Sequence, residues 1–560
     1  MNNGPRFAPV CGDARLPLKK KLFKPVASQG ASDIWARPHQ WDEAALRHML
    51  AMTLDGDQII VVSNRQPFSH DVLDGKVVVR QPASGLVAAL EPVIRACNGT
   101  WIASGGGQAD KDFVDASDRC SAPDNNGTYK LRRIWLTQQE RKGYYDGFSN
   151  SGLWPLCHNA HIRPSFEELD WLHYQAVNRK FANAIVREAR GKDPIVLVQD
   201  YHLALVAGLV RAQLPKATIV SFWHIPWPHA QQMKMCPWLE DLMRGLLGSD
   251  IVGFQTQQDA RHFSELAGDA GQSIVKGDSV KMSPCGRASR IRDYPISIAW
   301  PDLKDFTTKQ SVKFSRQVMY EQLSLRPESR VILGIDRFDY TKGIIERLQA
   351  FEKLLINHPR WQGVVRFIQI AAPSRQDLKE YTDFQWKVHT EVARINAYFE
   401  SLNEPPVVFL NSQYERHALD NFYCGADVCL VTSLRDGMNL VCKEFVAARD
   451  DEQGVLVLSQ FAGASHELVD ALIVNPYHVS QVAQSLHQAL TMPHSEQQKR
   501  MRALRRIVKT ANVYRWAGTI LADVAKLRSS DSSRSAKPWR EPVSSGLPMN
   551  ASTYKILQRA

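Results

Sequence analysis

No run of eighteen consecutive apolar residues occurs in the 560-residue chain, so no segment reads as a membrane-spanning helix. The opening stretch MNNGPRFAPVCGDARLPLKKKLFKP has no continuous apolar centre, which argues against a secretory signal. The nine cysteines are an odd number and show no paired spacing, so neither a disulfide framework nor a zinc ribbon is indicated. Several, such as Cys429 in DVCLV, sit in apolar runs and read as reduced core residues of a cytoplasmic protein. Charge is also scarce where a nucleic-acid partner would need it. The net charge is +11, but residues 1–40 carry +5 and residues 528–560 carry +4, leaving about +2 on the body. A near-neutral body gives no footprint for nucleic acid, and the tails read as solvated basic extensions. A strand-linked G-x-G-x-x-G is missing as well, which speaks against a dinucleotide-dependent dehydrogenase. The nearest approach, the glycines of SGGGQAD (104–110), reads as a plain turn.

What is present is a regular alternation. Residues 1–40 are rich in Pro, Gly and Lys without periodicity and are expected to be disordered, followed by a short helix over 41–52. Short β-rich apolar runs then recur at 58–63, 100–104, 194–199, 218–223 and 250–255, with helix-like stretches between several of them. The rhythm pauses near 293–303. A second series follows at 330–335, 365–371, 407–412, 427–432, 454–459 and 472–476. Continuous apolar strands alternating with helices predict parallel sheets covered on both faces. The expected architecture is α/β: two Rossmann-like, doubly wound domains facing a cleft. The expected limits are 53–300 and 301–527, with closing helices at the end of the second domain. A basic extension, 1–52, and a disordered basic tail, 528–560, flank them.

Ligands of open α/β sheets bind beyond the carboxyl ends of the strands. Five such ends carry unusual residues: Arg65 in SNR, Asp200 and His202 in QDYHL, His224 in HIPWP, Arg337 and Lys342 in DRFDYTKG, and the turn SLRDGMNLVCKE (433–444). That turn tightens at Gly437 and enters a helix, whose free N–H groups suit a phosphate. Asp436 and Glu444 could accept hydrogen bonds from sugar hydroxyls on either side of it. Arg337 and Lys342 could neutralise a diphosphate and stabilise it as it leaves. A nucleotide sugar fits this set. No metal-ligand spacing is seen.

The motifs SNR, GYYDGFSNSGLWPLCH (143–158), QDYHL, HIPWP, DRFDYTKG, APSRQD (372–377), LRDGMNLVCKE and GVLVLSQFAGASHEL (454–468) occur in that order. Over roughly 57–525 the chain resembles the trehalose-6-phosphate synthases, retaining glycosyltransferases of the two-Rossmann-domain (GT-B) type. The resemblance implies glucose transfer from a nucleotide-glucose, UDP-glucose foremost, to glucose 6-phosphate, with no metal and no cofactor. It implies acceptor contacts from Arg65, Tyr145, Trp154, Asp200 and Arg375. It implies donor contacts from Gly85, His224, Arg337, Lys342, Asp436, Gly437, Met438, Asn439, Leu440 and Glu444. Asp200, His224, Arg337, Lys342 and Asp436 lie at the reacting groups on this reading. Two departures stand out: the family's glycine pair in the first loop reads Ser84-Gly85, and its HIPFP reads HIPWP. No phosphatase-like segment is seen, so a synthase alone is expected. Glycerol 3-phosphate as acceptor and a non-catalytic sugar-phosphate sensor remain as alternatives, as does a homo-oligomer. The partners expected are small molecules, not nucleic acid or membrane.

Overall fold

The computed structural model describes residues 41–54, 56–81, 85–123, 127–189, 193–269, 273–276, 279–282, 288–301, 311–400 and 404–530. The tails expected to be disordered lie outside these residues, apart from the start of the C-terminal one. Both series of apolar runs form strands. The first series builds a ten-stranded sheet from β1 (Ile59–Arg65), β4 (Thr100–Ser104), β5 (Arg119–Ser121), β6 (Lys130–Ile134), β7 (Ile195–Gln199), β8 (Thr218–Phe222), β9 (Ile251–Phe254), β10 (Ser273–Lys276), β11 (Ser279–Met282) and β12 (Ala288–Asp293). A separate hairpin, β2 (Ser69–Leu73) and β3 (Lys76–Arg80), follows β1. The second series builds a six-stranded sheet from β13 (Arg330–Arg337), β14 (Val365–Ala372), β15 (Val407–Leu410), β16 (Val428–Val431), β17 (Val455–Ser459) and β18 (Leu472–Val474). The α/β, doubly wound character expected from the alternation is present.

Sheet order decides where a site can form. The second sheet runs β15-β14-β13-β16-β17-β18 and is parallel throughout. Its winding therefore reverses between β13 and β16. The first sheet runs β10-β11-β12-β9-β8-β7-β1-β4-β6-β5, parallel at the centre and antiparallel only toward its two edges. Its winding reverses between β1 and β7. Crevices open at such reversals because the connections on either side leave in opposite directions. The strand ends at the two reversals carry Arg65, Asp200, Arg337 and the Ser433–Glu444 turn.

Strands at the centre of both sheets are buried along nearly their whole length, as β7 and β17 show. The alternating, amphipathic signal is weak there, and the continuous apolar run is what marks them. The missed strands β5, β6, β10, β11 and β12 lie toward the two edges of the sheet, and most carry charged residues such as Arg119, Arg132, Lys281 and Arg290, which hid them.

The last helix, Val513–Ser530, differs from expectation. It was grouped with the second sheet, yet it packs on helices Glu43–Thr53 and Gly85–Cys97 beside the first. Trp516 meets Phe222 edge to face and donates from Nε1 to the Tyr294 carbonyl at 3.1 Å. A side chain at Gly518 would collide with the ring of Trp41. The helix also runs past residue 528, where the tail was expected to begin, because Arg528 is anchored to Asp57 at 2.9 Å. The helix at 43–53 is thus part of the packed body. Among the described residues no helix is long and apolar enough to cross a membrane.

Candidate active site

A single cleft of about 2790 Å3 is lined by both reversals. All the residues singled out from the sequence line it except Gly437.

On the side of the first sheet, β1 ends in a register irregularity between Ser63 and Arg65, which turns the exposed Arg65 toward the cleft. Asp200 follows β7 with φ of 75°, an uncommon conformation for a residue with a side chain. Its Oδ1 accepts from the amides of Tyr201 (3.0 Å) and His224 (3.3 Å), so one carboxylate joins the ends of β7 and β8. Burial pushes this carboxyl up to about 6, against the pull of those amides and of Arg337 and Arg375.

His224 is fixed from both sides. Its Nε2 lies 2.8 Å from Gln199 Oε1, and its Nδ1 lies 3.3 Å from Gln255 Nε2. Gln255 Oε1 accepts from the Ile296 amide at 3.0 Å, which orients its NH2 toward the ring. The imidazole is therefore the neutral Nε2–H form, and burial holds its pKa at about 3. The expectation placed His224 at the reacting sugars. Here both ring nitrogens are already engaged, and it is its carbonyl that Gly437 approaches closely. A Cβ on Gly437 would collide with that oxygen, so close approach is what demands glycine at 437.

Residues Lys142–Leu153 form a π-helix, a rare wide turn that recurs at functional sites. It lies flush on the Glu168–Ala189 helix: side chains at Gly143 and Gly147 would collide with His173 and Asp170. This segment presents Tyr145, whose ring stacks on His202 (5.5 Å, 9°). Burial raises the Tyr145 phenol, but Arg375, Arg65 and Arg337 together outweigh it and bring it below its usual range. Trp154 follows at the start of the next turn. The Arg375 guanidinium lies 4.0 Å and that of Arg337 5.2 Å from its ring centroid, both within cation–π range.

On the side of the second sheet, β13 delivers Arg337, and the 3-10 turn Tyr340–Lys342 delivers a buried Lys342. Lys342 Nζ is 2.6 Å from Asp436 Oδ2, which also accepts from Ser433 Oγ (3.1 Å) and Asn439 Nδ2 (3.2 Å). Burial raises the Asp436 carboxyl, but Lys342 and Asn439, with His158 nearby, hold it below its ordinary value. Gly437 to Leu440 then enter the helix Val441–Ala448. Glu444, in its first turn, accepts from Tyr423 Oη at 2.7 Å. Across the cleft a Cβ on Gly85 would lie 3.1 Å from Leu440 Cδ1, so the two sides nearly meet there. Its neighbour in the expected glycine pair, Ser84, lies outside the described residues.

Several residues of the site were not foreseen. Asp339, a fully buried carboxylate, sits among Arg337, Arg375 and Lys342. Tyr201 and Tyr381 both meet Arg375, and Gln199 and Gln255 hold His224. The acid among cations in DRFDYTKG was the one visible signal; the others sit in ordinary strand and helix sequence. The triple glycine after β4 is a turn as expected: the amides of Gly106 and Gly107 are taken up by Asp110 at 3.0 and 2.7 Å. Trp227, the departure in HIPWP, is fully buried against Trp223, Phe254 and Phe263 and does not line the cleft.

A sequence model described as glycosyltransferase family 20 matches residues 57–526. The chain belongs to glycosyltransferase family 20. Among its relatives, the trehalose-6-phosphate synthase of Mycobacterium marinum is 37% identical over 85% of this chain and 95% of its own length. A bifunctional trehalose-6-phosphate synthase/phosphatase of Thermoproteus tenax is 35% identical over 84% of this chain. The chain spans 64% of that longer relative. Among solved structures, a UDP-forming alpha,alpha-trehalose-phosphate synthase from Burkholderia xenovorans in complex with glucose-6-phosphate superposes with a TM-score of 0.73 at 33% identity, over 83% of this chain and 99% of that one. An E. coli structure described as trehalose-6-phosphate bound with UDP-2-fluoro glucose gives a TM-score of 0.73 at 31% identity, over 84% and 99%.

Proposed function

We propose that this family 20 glycosyltransferase moves glucose, with retention, from UDP-glucose to glucose 6-phosphate and so forms trehalose 6-phosphate. One observation carries the reading. Two clusters of cations and hydrogen-bond donors face one cleft, one at each sheet reversal, as a diphosphate on one substrate and a phosphate on the other require. Arg337 and Lys342 take the donor diphosphate. The amides of Gly437–Leu440 and the Asp436 carboxylate hold the transferred glucose, and Glu444 holds the ribose. Arg65, Tyr145, Trp154 and Arg375 take the acceptor phosphate, with Asp200 at the acceptor sugar. His224 acts through its main chain, its ring being tied to Gln199 and Gln255. Residues 53–300 form the acceptor side and 301–527 the donor side, with Arg375 reaching from the second to the acceptor phosphate and the final helix returning to the first.

The bond from the donor C1 to the diphosphate oxygen breaks as the acceptor hydroxyl oxygen bonds C1 on the same face. The acceptor proton passes to a leaving diphosphate oxygen. Arg337 and Lys342 stabilise the charge that grows there, which lowers the barrier more than it tightens ground-state binding. This route needs no carboxylate nucleophile and no metal. The test is release of UDP from UDP-glucose with glucose 6-phosphate or glycerol 3-phosphate as sole acceptor. Release with glucose 6-phosphate alone is expected. Release with glycerol 3-phosphate alone would overturn the acceptor assignment, and none with either would overturn the activity.

A further inference from the structure

Arg375 comes from the loop after β14, with φ of 48°, and its side chain is only 3% exposed. The guanidinium is held through its two terminal nitrogens, while its buried Nε has no hydrogen-bond partner among the described residues. Its Nη1 donates to Asp339 Oδ2 at 3.3 Å and to Tyr381 Oη, and its Nη2 lies 3.3 Å from Tyr201 Oη. The ring of Trp154 closes the remaining face at 4.0 Å. Among these neighbours only Asp339 carries a charge opposite to that of the arginine.

Asp339 is itself immobile. Its Oδ1 accepts from the Thr341 amide (3.0 Å) and hydroxyl (2.8 Å), and its Oδ2 accepts from Tyr381 Oη at 3.2 Å. The second cation on Oδ2 is Arg337, looser at 3.9 Å. Burial raises this carboxyl, yet Arg375, Arg337 and Lys342 bring it to about 2, so it is an anion at any working pH. One carboxylate oxygen therefore faces an arginine assigned to the acceptor phosphate and an arginine assigned to the donor diphosphate. Both guanidiniums also lie against the same Trp154 ring.

We infer that Asp339 is a positioning residue that holds Arg375 against Trp154 for the acceptor phosphate and ties its placement to Arg337 on the donor side. The inference rests on the substrate assignment above. It makes a prediction opposite in sign to simple electrostatics. Removing a negative charge beside two anion sites should tighten anion binding. Removing a positioning group should weaken it, because Arg375 loses its one ionic anchor and samples other rotamers.

Asp339→Asn is the variant of choice, since its carbonyl can still accept from Thr341 while the charge is lost. With UDP-glucose as donor, the KM for glucose 6-phosphate is expected to rise about tenfold or more and kcat to fall, while the KM for UDP-glucose changes less than threefold. In an Arg375→Ala background the same substitution should change the acceptor KM less than twofold. Glucose 6-phosphate binding is measured in parallel by titration calorimetry on full-length protein, and should weaken to the same degree. Unchanged or tighter acceptor binding in Asp339→Asn would overturn the inference. So would an effect of full size in the Arg375→Ala background, or a lower melting temperature with unchanged kinetic constants. Wild-type turnover tests the substrate assignment separately. The binding measurement decides the role of Asp339 even where turnover is absent.

Discussion

The two sides of the cleft differ in how their polar groups are satisfied. On the first-sheet side, Tyr144 Oη, Ser149 Oγ, Asn150 Nδ2, Trp154 Nε1 and both ring nitrogens of His202 are buried with no hydrogen-bond partner in the protein. On the second-sheet side most charged groups are already paired: Lys342 with Asp436, Glu444 with Tyr423, and the terminal nitrogens of Arg375 with Asp339 and two tyrosines, although its Nε is left without a partner. Unpartnered buried donors are costly, and of these residues Trp154 and His202 line the cleft, where a ligand can supply the missing bonds. Preformed pairs hold cations rigidly where charge is to develop, so no reorganisation is needed at the moment of reaction. The comparison assigns recognition of the acceptor chiefly to the first side and stabilisation of the leaving group chiefly to the second.

The sharpest way to break this comparison is Lys342→Ala. It removes a transition-state contact and strands the Asp436 carboxylate, so kcat should fall on the order of 10²–10³-fold with little change in donor KM. A change confined to KM would move Lys342 from leaving-group stabilisation to plain binding. Arg375→Ala should come next. Loss of charge-assisted hydrogen bonds of about 1.5–3 kcal/mol predicts a rise of roughly 10–150-fold in the acceptor KM. Steady-state kinetics with glucose in place of glucose 6-phosphate checks the assignment, because the rise should vanish with the phosphate.

A smaller effect follows from Asp200. Its folded pKa, about 6, lies above the ordinary carboxyl value of 3.8. The raised value means the folded state binds the proton more tightly than the unfolded chain does. Ionised Asp200 therefore burdens the fold above pH 6, and the burden is relieved as pH falls through 6 toward 4. Relative to Asp200→Asn, the wild type should gain up to about 3 kcal/mol of unfolding free energy between pH 7 and pH 4. Denaturant melts at both pH values measure this, and a constant difference would show that Asp200 is not buried as the structure has it. The smallest effect on activity belongs to Trp227→Phe. Trp227 packs inside the first-sheet core, so the acceptor KM should stay within twofold, with a loss of stability of about 1–2 kcal/mol from the cavity. A large change in acceptor KM would place that residue at the cleft after all.

The sequence by itself determined the strands of both sheet centres and the residues at their carboxyl ends. The reason is local: a strand covered on both faces must be a short continuous apolar run, and a functional residue after it stands out. Arg65, Asp200, Arg337, Lys342, Asp436 and Glu444 were legible in this way, and the resemblance to a known family added Tyr145, Trp154 and Arg375. Tertiary structure alone decided the partnerships. Lys342 and Asp436 are 94 residues apart, and Arg375 and Asp339 are 36 apart. No spacing rule joins such pairs; they meet because β13 lies between β14 and β16. The engagement of both His224 nitrogens, the π-helical turn that presents Tyr145, and the return of the last helix to the first sheet were hidden for the same reason. Each depends on which element lies beside which. Hydrophobic patterning fixes the elements, but the order in which they pack fixes the charges that face one another.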